Sequence, residues 1–137
     1  ESRHQLELNT EVKSAIESIR LKAGSLMALG DVTKKSVPKM TLVSEPLNGG
    51  LLNTRSFIPH RVHASIGVFA AITVATACVI PNTVAASLAS LPDGGIYKIE
   101  HPSGCTKVRL DLDDNGVIGR TGIIRTARKL MDGTVYS

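Results

Sequence analysis

The chain has 137 residues, 42% of them hydrophobic, enough for one compact domain with its own core and too few for two. Its formal net charge of +4 suits an anionic partner, but Lys and Arg are scattered, with no long run of like charges and no interleaved aromatics on which bases could stack, which argues against nucleic acid. Aromatics make up 3%, so the core has to come from Ile, Leu, Val and Ala, side chains small enough to let a helix approach neighbouring backbone.

The opening, ESRHQLELN, lacks a basic segment followed by an apolar one and does not begin with Met; it reads as the edge of a piece of something longer, not as a secretion signal. In NTEVKSAIESIRLKAGSLMALG, Val12, Ile16, Ile19, Ala23, Leu26 and Met27 recur at helical spacing, which predicts a helix with one buried face, started by Asn9 or Thr10 and ended by Gly30. KMTLVSEP and LLNTRSFIP, about the turn LNGG, predict a β-hairpin stopped by Pro46 and Pro59.

The stretch from Ala64 to Ile80 follows without one charge. Its length touches the lower limit for a membrane span, but Ser65, Gly67, Thr73 and Thr76 interrupt it and no aromatic belt flanks it, so a buried helix is expected and no membrane contact. Asn82 or Thr83 would cap a short helix after Pro81. GIYKIEHP and CTKVRLDL read as strands, with Val108, Leu110 and Leu112 alternating with polar residues; Asn115-Gly116 turns the chain, and VIGRTGIIRTARKLM with DGTVYS gives further strand. Grouped strands around one helix that is apolar on all sides predict a single α+β domain, 1–137, in which an antiparallel sheet curls around that helix.

A helix beginning near Ala64 leaves its first amides without partners and attracts anions. Arg61 and His63 before it, and the Ser65 hydroxyl in its first turn, would suit a carboxylate or a developing enolate; the alternative is that His63 and Ser65 only cap a helix end while Arg61 is solvated. His60, His63, His101 and Cys105 have spacings that zinc sites use, but Pro59 and Pro102 restrict two of the histidines and no second ligand pair lies nearby, so no metal is expected. DLDDNG copies half of a calcium loop whose closing Glu is replaced by Gly122, so a turn is expected. Arg125, Arg128 and Lys129 of RTARK could reach an anionic substrate or be solvated. Two cysteines, Cys78 and Cys105, are too few for a disulfide framework; a reducing, cytoplasmic setting is expected, with Cys78 a core residue and Cys105 incidental.

SVPKMTLVSEP, RSFIPHRVHASIGVFAAITVATACVIPNTVA, IEHPSG and IIRTARKLMDGTVYS together resemble, in order, the C-terminal half of the PrpF family, which includes 2-methylaconitate cis-trans isomerase, methylitaconate Δ-isomerase and oxalomesaconate tautomerase within the diaminopimelate-epimerase-like superfamily. The resemblance implies one lobe of a two-lobe enzyme, each lobe a sheet about a central helix, with the site in a cleft where both helix N-termini point. It also implies cofactor-independent proton transfer on a small di- or tricarboxylate. Much of the superfamily has a Cys near the start of this helix, whereas HRVHAS has none; Cys78 would lie roughly 20 Å farther along.

On this resemblance the catalytic candidates are His63 and Ser65, and substrate contacts are expected from Arg61, Ala64, Ile66, His101, Ser103, Arg125 and Arg128. The expected partners are a small anionic carboxylate and the N-terminal lobe or a second chain that completes the cleft, with self-association open. The other readings are a non-catalytic interaction domain derived from the fold, and a proton-shuttling cyclase of secondary metabolism.

Overall fold

A computed structural model describes residues 2–136. The chain starts with a helix that the pattern of ESRHQLELN did not announce. Ser2 accepts from the Gln5 amide and the Gln5 side chain accepts from the Ser2 amide, a capping box that starts α1, Arg3–Leu8. Asn9 closes α1 and also caps α2, Thr10–Leu26, accepting from the Val12 amide at 3.0 Å.

The buried face of α2 differs from the predicted one. Ile16 is buried, but Ile19, Leu26 and Met27 are exposed, and the face turned inward runs Ile16, Arg20, Gly24. Two contacts choose that face. The Arg20 guanidinium forks onto Glu17 and donates to the Lys35 and Val37 carbonyls, while Gly24 lies so close to Val32 that a Cβ would stand 2.5 Å from its methyl. The helix stops at Leu26, before Gly30, because Ala28 turns left-handed (φ 54°) and the Ala28 and Leu29 amides donate back to the Ser25 and Gly24 carbonyls.

The predicted hairpin is present as β1, Met40–Ser44, and β2, Leu52–Phe57. After it come α3, Val68–Val79; α4, Val84–Leu88, capped by Thr83; β3, Ile96–His101; β4, Gly104–Leu112; and β5, Ile118–Ile124. The strands form one sheet in chain order. It is mixed, not wholly antiparallel as expected: β2 and β3 run parallel, with Leu52 opposite Ile99. The excursion through α3 and α4 returns the chain to the end of the sheet where β2 began, and a returning crossover makes parallel neighbours. The Asn115-Gly116 turn holds, with Asp113 accepting from the Asn115 and Val117 amides.

Two cores result. The larger lies between the sheet and α3, where Ala71 and Ala75, fully buried, allow close approach to Leu52, Ile99, Val108 and Leu110. The smaller joins Leu6 of α1 and Ile16 of α2 to Phe57 and Val62. The helix is not buried all round: Val68, Phe69 and Thr73 are exposed, and its uncovered flank lines an apolar groove of about 690 Å³ with Val37, Thr41 and Val43. The further strand expected in DGTVYS is absent among its described residues: 125–136 follow β5 without strand pairing, with Val135 and Tyr136 exposed, and Ser137 lies outside the described residues. Among the described residues no helix is long and apolar enough to cross a membrane.

Candidate active site

The segment between β2 and α3 carries most of the residues singled out above, and it is pinned at alternate points. Phe57 bridges to Val62, the Ile58 amide donates to the Arg61 carbonyl, and the His63 amide donates to the Ser56 carbonyl at 2.9 Å. Val62 is buried against Leu6 and Phe57. The α3 helix starts at Val68, not near Ala64. Ser65 is therefore two residues outside the Gly67 cap and not in the first turn; it is exposed, as are Arg61 and His63. Ile66 has its side chain in the large core, which leaves only its backbone for contact with a ligand. The later start goes with two tertiary contacts of the lead-in, the burial of the Ile66 side chain in the large core and the tie of the Ala64 carbonyl to Ser103 of the β3–β4 turn.

That turn is the second half of the site. Ser103 donates to the Ala64 carbonyl through both its amide, at 3.0 Å, and its hydroxyl, at 2.8 Å. His101 stands between two hydroxyls, Nδ1 at 3.2 Å from Ser103 Oγ and Nε2 at 3.3 Å from Thr106 Oγ1. Because the Ser103 proton is directed to Ala64, Ser103 must accept from His101, which assigns the proton to Nδ1 and makes Thr106 the donor to Nε2. Burial pushes His101 below its ordinary value; the Ala64 carbonyl opposes this and the Arg125 charge adds to it. The imidazole is thus neutral at pH 7, and Arg125, one residue beyond β5, is close enough to be felt.

Gly67 offers no side-chain cap, so the Val68, Phe69 and Ala70 amides at the start of α3 have no intrahelical acceptor. The structure brings His101 and Ser103 to Ala64 on the lead-in to this helix, which also carries Arg61, His63 and Ser65; Arg125 is exposed just beyond β5. Arg128 is not brought in; it is exposed and makes no ion pair among the described residues. Sequence reasoning missed Thr106, a buried hydroxyl whose role depends on the β3–β4 register. It also missed Arg3 and Glu7, which reach this segment from α1. The apolar groove lies along the flank of α3 and, with Lys39 its only charged lining residue, is not built to hold a carboxylate.

The His and Cys residues at zinc-like spacing, from which no metal was expected, have separate surroundings. His60 faces Glu17 at 3.4 Å, His101 is held by hydroxyls, and no group of three or more His, Cys, Asp or Glu among the described residues could hold a metal ion. Cys78 is buried, its thiol directed at the Val74 carbonyl, and burial pushes it up to about 11; Cys105 is exposed on β4.

The chain is 54% identical to the (4E)-oxalomesaconate Delta-isomerase of Novosphingobium sp. strain KA1, over 99% of its own length and 39% of that protein's. It is also 54% identical to the 4-oxalomesaconate tautomerase of Pseudomonas putida, over 95% and 36%, and 37% identical to the putative isomerase YbhH of Escherichia coli, over 96% and 38%. It thus spans about two fifths of the length of these relatives, which are isomerases by name. Its fold matches the crystal structure of methylitaconate-delta-isomerase with a TM-score of 0.75 at 18% identity, over 90% of this chain and 40% of that one. The sequence matches the family described as PrpF protein across residues 1–137, and with that match the chain belongs to the PrpF family.

Proposed function

We propose that these residues are part of a cofactor-independent isomerase that moves a proton and a double bond in a small unsaturated di- or tricarboxylate of the oxalomesaconate kind. The observation that carries the reading is the docking of Ser103 onto Ala64, which ties the His101 turn to the lead-in of α3. On this reading the free helix amides and the Arg125 guanidinium supply the positive potential that the substrate carboxylates meet. A proton leaves carbon next to a carboxylate or carbonyl, the electron pair delocalises onto oxygen, and a proton returns at another atom of the conjugated system. Charge developing on oxygen is what fixed amides stabilise.

Within this half His63 is the group able to take or return the proton, and the exposed Ser65 hydroxyl is the weaker candidate. Arg61 and Arg125 hold carboxylates, and the neutral His101 braces the Ser103 turn. The remaining three fifths of the longer protein, or a second chain, supplies the opposite wall of the cleft and the second acid–base group.

The test is a chimera in which residues 1–137 replace the matching segment of the Pseudomonas putida tautomerase. Conversion of 4-oxalomesaconate, followed by ultraviolet absorbance and by deuterium incorporation from solvent, should persist in the chimera and fall at least tenfold in its His63→Ala form. A chimera that folds with native far-ultraviolet circular dichroism but converts nothing would overturn the reading and favour a binding domain.

A further inference from the structure

The lead-in to α3 is gripped from outside the sheet by the first helix of the chain. Glu7 Oε2 accepts from the Val62 amide at 2.7 Å, and Arg3 Nε donates to the Val62 carbonyl at 2.8 Å. Both peptide groups of one residue are thus held by charged side chains one helical turn apart, across more than fifty residues of sequence. Leu6, on the same helix, packs against the buried Val62 side chain. The second carboxylate oxygen of Glu7 lies 3.9 Å from Arg61 Nε and 3.5 Å from Lys13 Nζ. Farther out, Glu17, itself fixed by Arg20, faces His60.

Val62 sits between Arg61 and His63, the two exposed side chains that the proposed function uses. We infer that Arg3 and Glu7 are positioning residues, which clamp both peptide groups of Val62 and so fix the direction in which Arg61 and His63 are presented to the substrate. The inference rests on the isomerase reading. Ordinary strand pairing already ties this segment inward, through the His63 amide to Ser56. The α1 contacts add a second, charge-assisted restraint on the opposite side, and a segment held from both sides keeps one geometry when an anion draws on its cationic side chains. Displacement of a reacting group by about 1 Å costs on the order of a hundredfold in rate, so a restraint of this kind has a kinetic signature.

The experiment uses the chimera described above and compares Glu7→Ala, Glu7→Gln, Arg3→Ala and Arg3→Lys. Glu7→Gln keeps an oxygen for the Val62 amide, whereas Glu7→Ala keeps none. The expected result is a fall in kcat of roughly tenfold or more for Glu7→Ala and Arg3→Ala, with KM changed less. Glu7→Gln should recover most of the loss, and the His63 ring resonances should move in the alanine variants but not in Glu7→Gln. Hydrogen exchange at the Val62 amide should speed up in Glu7→Ala only.

Unchanged kcat in both alanine variants, with Val62 exchange accelerated, would overturn the inference while leaving the isomerase reading intact. An equal loss in Glu7→Ala and Glu7→Gln would also overturn it, since charge and not the peptide clamp would then be responsible. If the unsubstituted chimera is inactive, the functional reading falls on its own. The clamp is then judged by the His63 resonances, and their failure to move in Glu7→Ala would remove it as well.

Discussion

Glu100 is the sharpest place to test the energetics of this fold, because a carboxylate with only 4% of its surface exposed is used to close a turn far away in sequence. Its two oxygens accept from the Leu47, Asn48 and Gly50 amides, each at 2.8 Å, and its backbone carbonyl accepts from the buried Thr54 hydroxyl. Removing the carboxylate with Glu100→Ala leaves three donors without their acceptor. A hydrogen bond to a charged group contributes about 1.5–3 kcal/mol. Leu47 and Asn48 are exposed, so water can replace part of what two of the amides lose, and the expected cost is about 3–4 kcal/mol. Glu100→Gln should cost about 2 kcal/mol: in its better orientation the amide oxygen serves Asn48 and Gly50 while the NH₂ group confronts the Leu47 donor.

The pH dependence follows from the same contacts. Burial alone would raise the Glu100 pKa, but the three amides outweigh it and hold the carboxyl below the ordinary 4.5. The stability it contributes is therefore fully present above pH 4.5 and is lost as pH falls through the lower folded-state value. Urea unfolding followed by circular dichroism at neutral pH, repeated in steps down to about pH 3, should show the gap between the original protein and Glu100→Gln narrowing on acidification. A gap below about 0.5 kcal/mol at neutral pH, the size of an ordinary surface substitution, would refute the argument, and so would a gap that widens toward acid.

Arg20, fully buried and bonded to Glu17 and two carbonyls, should cost about 2–4 kcal/mol on replacement by Met. Arg20→Lys should recover only part, because an ammonium cannot reproduce the fork; equal stability of all three by urea unfolding would contradict the burial. The two thiols should separate by reactivity. With maleimide at neutral pH, mass spectrometry should find one adduct on the native protein, at Cys105, and two in urea, since Cys78 is buried and its thiol is pushed up to about 11. In the chimera, Arg125→Ala should raise KM roughly tenfold or more, while Arg128→Ala, at a side chain that is exposed and makes no ion pair among the described residues, should change it less than about twofold. The opposite order would misplace the carboxylate contact.

The elements with strong local signals were legible in the sequence. The Thr83-capped helix, the Asn115-Gly116 turn and the alternation of Val108 and Leu110 depend on residues within a few positions of one another, and the hairpin about LNGG was legible from its two strands although distant Glu100 closes its turn. The uncharged stretch from Ala64 to Ile80 likewise announced a core helix. The start of that helix was misplaced because apolar character does not distinguish Ile66, buried in extended backbone, from Val74, buried in the helix.

What only the tertiary structure decided is set by contacts between distant residues. The inward face of α2 was chosen by Arg20 and Gly24 meeting the 32–37 segment, although hydrophobicity pointed to Ile19 and Leu26. The parallel pairing of β2 with β3 came from the return path of two helices. His101 became a neutral, hydroxyl-braced group because strand register placed Thr106 beside it and Ser103 found the carbonyl of Ala64. The grip of Arg3 and Glu7 on Val62 has no trace in periodicity or motif, for hydrogen bonds between side chains and distant backbone leave the local pattern of a sequence unchanged.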